Sequence, residues 1–167
     1  MTDEVDRLIR ALDRVESERA VERLICSYGH VLDFGTVDAY ADLFAPDGSI
    51  EIQSGFTNNF GLDLSLPYEK EGLASGGRRT ERGVIFSGRD ALKRFVAKIA
   101  DACRNLHVVS QPLVTVLGDD RAEAFSYLRL YGQDVGAPPV LQGFGRYIDR
   151  FARLDGSWLF QTRICEI

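Results

Sequence analysis

The chain has 167 residues, 45% of them hydrophobic and 27% charged, which is ordinary for a globular protein with enough chain for one packed core. Its formal net charge of -5 speaks against nucleic acid or an anionic membrane as the main partner. Cys26, Cys103 and Cys165 are odd in number and too far apart for a disulfide framework or a zinc pattern, so a reducing cytoplasm is expected.

No apolar run approaches a membrane span, and the opening "MTDEVDRLIR" is acidic and amphipathic, unlike a signal peptide. Val5, Leu8, Ile9, Leu12 and Val15 fall on one face of a first helix. The polar "ESER" breaks that phase and predicts a second helix capped by Ser17. Val21, Leu24, Ile25, Tyr28, Val31 and Leu32 form its apolar face, and Gly35 supplies the stop. Thr36 caps a short third helix that carries Tyr40, Leu43 and Phe44 inward. "APDG", with Asp47, reads as a turn, and "SIEIQ" alternates like a half-exposed strand.

Residues 53–83 lack a period and are rich in Gly, Asn, Ser and charge, so they read as a long functional loop, a mobile flap. "GRDALKRFVAKIADAC" restores a helix with Leu92, Phe95, Val96 and Ile99 on one face. Four strands follow, "LHVVSQPLVTVL", "AEAFSYLRLYG", "GFGRYIDRFARL" and "WLFQTRICEI", separated by turn residues that favour antiparallel pairing. The expected fold is α+β in a single domain over 1–167, with N-terminal helices packed on a curved, mainly antiparallel sheet. A cavity between helices and sheet, mostly apolar with a few converging polar groups, would suit a small molecule.

"AVERLICSYGHVLDFGTVDAYADLFAPDGSIEI" and the late "GRYIDRFARLDGSWLFQTR" resemble the SnoaL-like branch of the nuclear transport factor 2-like superfamily. The resemblance covers nearly the whole chain, with the loop at 53–83 longer than usual, and implies a cone-shaped fold. One cone hosts many chemistries, so it constrains fold more than function. The polar residues look most like those of the cofactor-free lyases, such as scytalone dehydratase, hexachlorocyclohexane dehydrochlorinase and bile-acid 7α-dehydratase. That likeness implies a pair of Asp33 with His107, a tyrosine at Tyr28 and a cavity-facing arginine at Arg163.

Cofactor-free elimination or isomerisation needs a base that takes a proton from carbon. A histidine suits this because its ordinary pKa, about 6.5, lies near working pH. Asp33 would orient His107, Tyr28 would donate to a substrate oxygen, and Arg163 would stabilise a leaving hydroxide, halide or enolate. Each has a plainer reading. Asp33 could cap backbone, His107 could be a satisfied core histidine, Tyr28 could merely pack, and Arg163 could pair with an acid at the sheet edge. His30, one helical turn before Asp33, and Tyr127, alternating with Phe125, Arg129 and Tyr131 along a strand, are weaker substrate-binding candidates. Trp158 reads as core.

GxGxxG, HExxH and GxSxG motifs are missing, so no cofactor or metal is expected. The expected function is a dehydratase-like lyase or isomerase acting on a hydrophobic cyclic molecule such as a steroid, polyketide or arene derivative. The alternatives are a non-catalytic small subunit of an aromatic-ring-hydroxylating dioxygenase, or a ligand-binding module. The resemblance also implies a homo-oligomer, dimer or trimer, assembled through the sheet.

Overall fold

The computed structural model describes residues 2–53, 76–102, 105–133 and 137–167. One long helix, α1 (Thr2–Phe34), opens the chain, followed by the short α2 (Val37–Asp42). Then come β1 (Phe44–Gln53), β2 (Arg78–Arg79), β3 (Gly83–Ser87), α3 (Arg89–Ala102), β4 (Asn105–Val116), β5 (Arg121–Gly132), β6 (Val140–Leu154) and β7 (Ser157–Glu166). The seven strands form one curled sheet in the order β2-β3-β1-β7-β6-β5-β4, and helices pack on one face of it, so the fold is the expected α+β cone.

The second half folds by local rules. β4 to β7 are a meander of antiparallel neighbours. Asp155 and Gly156, both at positive φ (49° and 81°), close the β6–β7 hairpin, the backbone that a two-residue turn of matching twist requires. Burial alternates along β5: Ala122, Ala124, Ser126, Leu128 and Leu130 face inward, and Phe125, Tyr127 and Arg129 face out. Among the described residues every strand pair is antiparallel except β1 with β7.

Three features differ from the sequence reading. The predicted first and second helices are one, because Glu16, Glu18, Arg19 and Ala20 all favour helix and carry it through Ser17. Ser17 is a buried mid-helix residue and caps nothing. The loop read over 53–83 is shorter at its far end, where Arg78–Arg79 pairs with β3 and Gly83–Ser87 pairs with β1. Residues 54–75 of that loop, where the flap reading falls, lie outside the described residues. "APDG" sits inside β1 as an irregularity between Phe44 and Ser49.

Gly35 donates its N–H to the Val31 carbonyl at 2.8 Å and ends α1, and Thr36 accepts from the Ala39 N–H at 3.1 Å to cap α2. The core gathers Ile25 and Tyr28 of α1, Tyr40 of α2, Leu92 of α3, and Phe151 and Phe160 of the sheet. Trp158 is buried, as core.

Candidate functional site

Asp33 stands in the last turn of α1, and His107 is the third residue of β4, the sheet's edge strand. The two meet twice. The His107 backbone N–H donates to Asp33 Oδ2 at 2.8 Å, and the ring Nδ1 lies 2.5 Å from Asp33 Oδ1. An ionised carboxylate only accepts, so Nδ1 carries the proton in this contact. When the ring is neutral, Nε2 then carries its free lone pair.

Exposure fits that arrangement. The Asp33 side chain is 2% exposed and the His107 side chain 11%, so the carboxylate is sealed behind the ring while the imidazole keeps a small open edge. Among the described residues no hydrogen bond to Nε2 is seen. A carboxylate at a helix C-terminus is poorly placed against the helix dipole. The paired donors of His107 are what hold it there.

A residue the sequence reading missed makes the approach possible. Gly29, one turn before Asp33, lies against the His107 backbone: a Cβ there would stand 2.5 Å from the His107 carbonyl oxygen. Mid-helix glycine costs about 1 kcal/mol relative to alanine, so its presence between Tyr28 and His30 was the available signal.

Tyr28 and Arg163 form a second, separate cluster. Five positions along a helix amount to roughly 140° of rotation, so Tyr28 and Asp33 leave α1 in different directions. Arg163 on β7 is fully buried, opposite Asp149 on β6, and binds it with a planar fork: Nε to Oδ1 at 2.8 Å and Nη2 to Oδ2 at 2.7 Å. The guanidinium carbon lies 3.9 Å from the Tyr28 ring centre, 4.0 Å from that of Tyr147 and 4.2 Å from that of Phe160. The Tyr28 and Tyr40 hydroxyls are 3.1 Å apart.

This corrects four expectations. Arg163 has no exposed surface and gives Nε and Nη2 to Asp149, while its Nη1 has no hydrogen-bond partner among the described residues, so it serves as the counter-ion of Asp149 in the middle of the sheet, not as a group on an open cavity or an edge partner. Tyr28 is equally sealed, and its hydroxyl is engaged with Tyr40. His30 is exposed on α1 and Tyr127 projects from the outer face of β5, and among the described residues no contact joins either to the Asp33–His107 pair. Asp149 was missed, although Tyr147, Asp149 and Phe151 alternate in phase and an acid on an apolar strand face is a visible anomaly.

Electrostatics underline the dryness of the second cluster. Burial pushes the Tyr28 phenol up to about 12, against the downward pull of Arg163. It raises Tyr40 and Tyr147 in the same direction and pushes the Cys165 thiol up to about 12. Asp149 is also raised by burial, with Arg163 drawing it back. Among the described residues, no three His, Cys, Asp or Glu side chains converge as metal ligands, and no helix is long and apolar enough to cross a membrane.

The model of the SnoaL-like domain family matches residues 13–164. No curated protein matches the sequence. Among solved structures, an NTF2-like protein with a cystatin-like fold from Novosphingobium aromaticivorans superposes with a TM-score of 0.68 at 20% identity, covering 100% of this chain and 89% of that one. A proposed scytalone dehydratase from the same organism gives 0.66 at 21% identity, covering 99% and 87%. The beta subunit of a proposed aromatic-ring-hydroxylating dioxygenase, also from that organism, gives 0.66 at 16%, covering 90% and 88%. At these identities the likeness is one of fold.

Proposed function

The chain belongs to the SnoaL-like domain family, and from that premise we propose that it is a cofactor-independent lyase or isomerase in which His107 is the general base and Asp33 its orienting carboxylate. The observation that carries the reading is the double grip of Asp33 on His107, which fixes the ring and its tautomer and leaves Nε2 to receive a proton.

As Nε2 takes a proton from carbon, the ring becomes an imidazolium. The sealed Asp33 carboxylate, already in contact with Nδ1, stabilises that charge more strongly than water would. Return of the proton to another carbon of the same molecule is isomerisation, and its return to the hydroxyl of the neighbouring carbon, which then leaves as water with the C–O electron pair, is dehydration. A hydrophobic cyclic ketone or alcohol is the substrate class that the proposed scytalone dehydratase likeness supports. Tyr28 and Arg163 act on this chemistry only from the core, by holding α1 against the sheet.

The test is proton exchange at carbon. In deuterium oxide, the protein is expected to speed exchange of the acidic C–H protons of cyclic hydroxyketones, followed by proton NMR. His107→Ala is expected to lower that rate by about 10²- to 10⁴-fold, and Asp33→Asn by a smaller factor. Equal exchange by wild type and His107→Ala removes the base, and the chain is then the non-catalytic subunit or binding module that the same fold also builds.

A further inference from the structure

The end of α1, the start of β4 and the end of β5 meet around a hollow of about 450 Å³, within the size range of small-molecule sites. Its walls are Phe34, Leu106, Tyr131 and Pro139. Phe34 is the last residue of α1 and is 77% exposed, so most of an aromatic ring stands open beside the hollow. Leu106 is exposed as well. Open apolar side chains gathered around a concavity mark a binding site, not a core.

Its place in the chain ties it to the Asp33–His107 pair. Phe34 follows Asp33, and Asn105 and Leu106 precede His107, so the double contact between Asp33 and His107 also holds two sides of the hollow together. By strand alternation Asn105 leaves β4 on the same face as His107, two residues and about 7 Å along the strand. A fused-ring molecule seated in the hollow therefore lies beside the imidazole.

Chemistry narrows what fits. Among the described residues no charged side chain lines the hollow, so nothing there pairs with a carboxylate or phosphate. Of its two carboxamides, Gln133 gives Nε2 to the Ala137 carbonyl at 2.8 Å, while Asn105 Oδ1 is buried with no hydrogen-bond partner among the described residues. An unpaired buried oxygen is a standing cost that a hydroxyl donor removes. We propose that the hollow seats the ring of the substrate, a neutral planar molecule whose hydroxyl donates to Asn105 Oδ1, an assignment that rests on the lyase or isomerase reading. Phe34 and Tyr131 supply aromatic surface for that ring.

Isothermal titration calorimetry on the full chain tests it, with a hydroxytetralone and its methyl ether as probes; the ether keeps the rings and lacks the donor. Wild type and His107→Ala are both expected to bind the hydroxytetralone about 5-fold more tightly than the ether. Asn105→Leu is expected to erase that preference, and Phe34→Ala to weaken both probes about 10-fold. Circular dichroism is expected to stay unchanged, because Phe34 is at the surface and Asn105 Oδ1 gives up no hydrogen bond. Equal affinity for the two probes in wild type overturns the inference, as does a preference that Asn105→Leu keeps. Affinity that Phe34→Ala leaves unaltered, or no binding of either probe, overturns it too. If proton exchange is equal in wild type and His107→Ala while this binding pattern holds, the base falls and the subsite stands.

Discussion

A missing side chain decides how closely the carboxylate can approach the imidazole. Alanine in place of Gly29 would gain about 1 kcal/mol in helix propensity, and on that ground alone would stabilise α1. The added methyl would stand 2.5 Å from the His107 carbonyl oxygen, and backbone on the edge strand yields poorly. Gly29→Ala is therefore expected to destabilise the protein by about 1–3 kcal/mol, as overpacking does. It is also expected to loosen the Asp33 contact. Chemical denaturation reads the first effect, and the low-field proton resonance of His107 Nδ1–H reads the second; a variant with gained stability and an intact resonance contradicts the assignment. At this scale the sequence was half legible. Asp33 and His107 were readable because a family resemblance ties positions 74 residues apart, whereas periodicity alone relates only neighbours. Arg163 was misread because its partner, Asp149, is set by strand register, which no local pattern reveals.

Elements were legible where a local rule decides them. Turn residues and two-residue alternation located the four closing strands, and Thr36 announced α2. Thr36→Ala removes the acceptor of the Ala39 N–H and is expected to lower stability by about 1 kcal/mol, measurable as a shift of the urea midpoint at constant slope. Where a rule had two solutions, the reading failed. The phase break around Ser17 is real, but it records a helix that changes which side is covered, not a helix that ends. Arg78–Arg79 is too short to show alternation, and its pairing with β3 is a tertiary fact.

The whole molecule is knit by a dry aromatic cluster around one buried ion pair, and this makes its stability depend on alkali. Folded Tyr28 holds its proton up to about 12, above the ordinary value near 10, because burial disfavours the phenolate. Tyr40 and Tyr147 are shifted the same way. A folded-state value above the unfolded one means that the contribution is complete below pH 10 and is lost as pH rises through the folded value. The thermal midpoint is expected to fall steadily between about pH 10 and 12, followed by circular dichroism; a flat profile across that range contradicts the sealed cluster. The parallel seam between β1 and β7 has its own consequence. The meander from β4 to β7 needs only neighbouring segments, but Ile50 must find Arg163 about a hundred residues away before the sheet has two halves. Loop-closure entropy falls on that one junction, so the meander is expected to form first and the joining of β1 to be the slow step of refolding, which higher φ-values in the meander than in β1 would show.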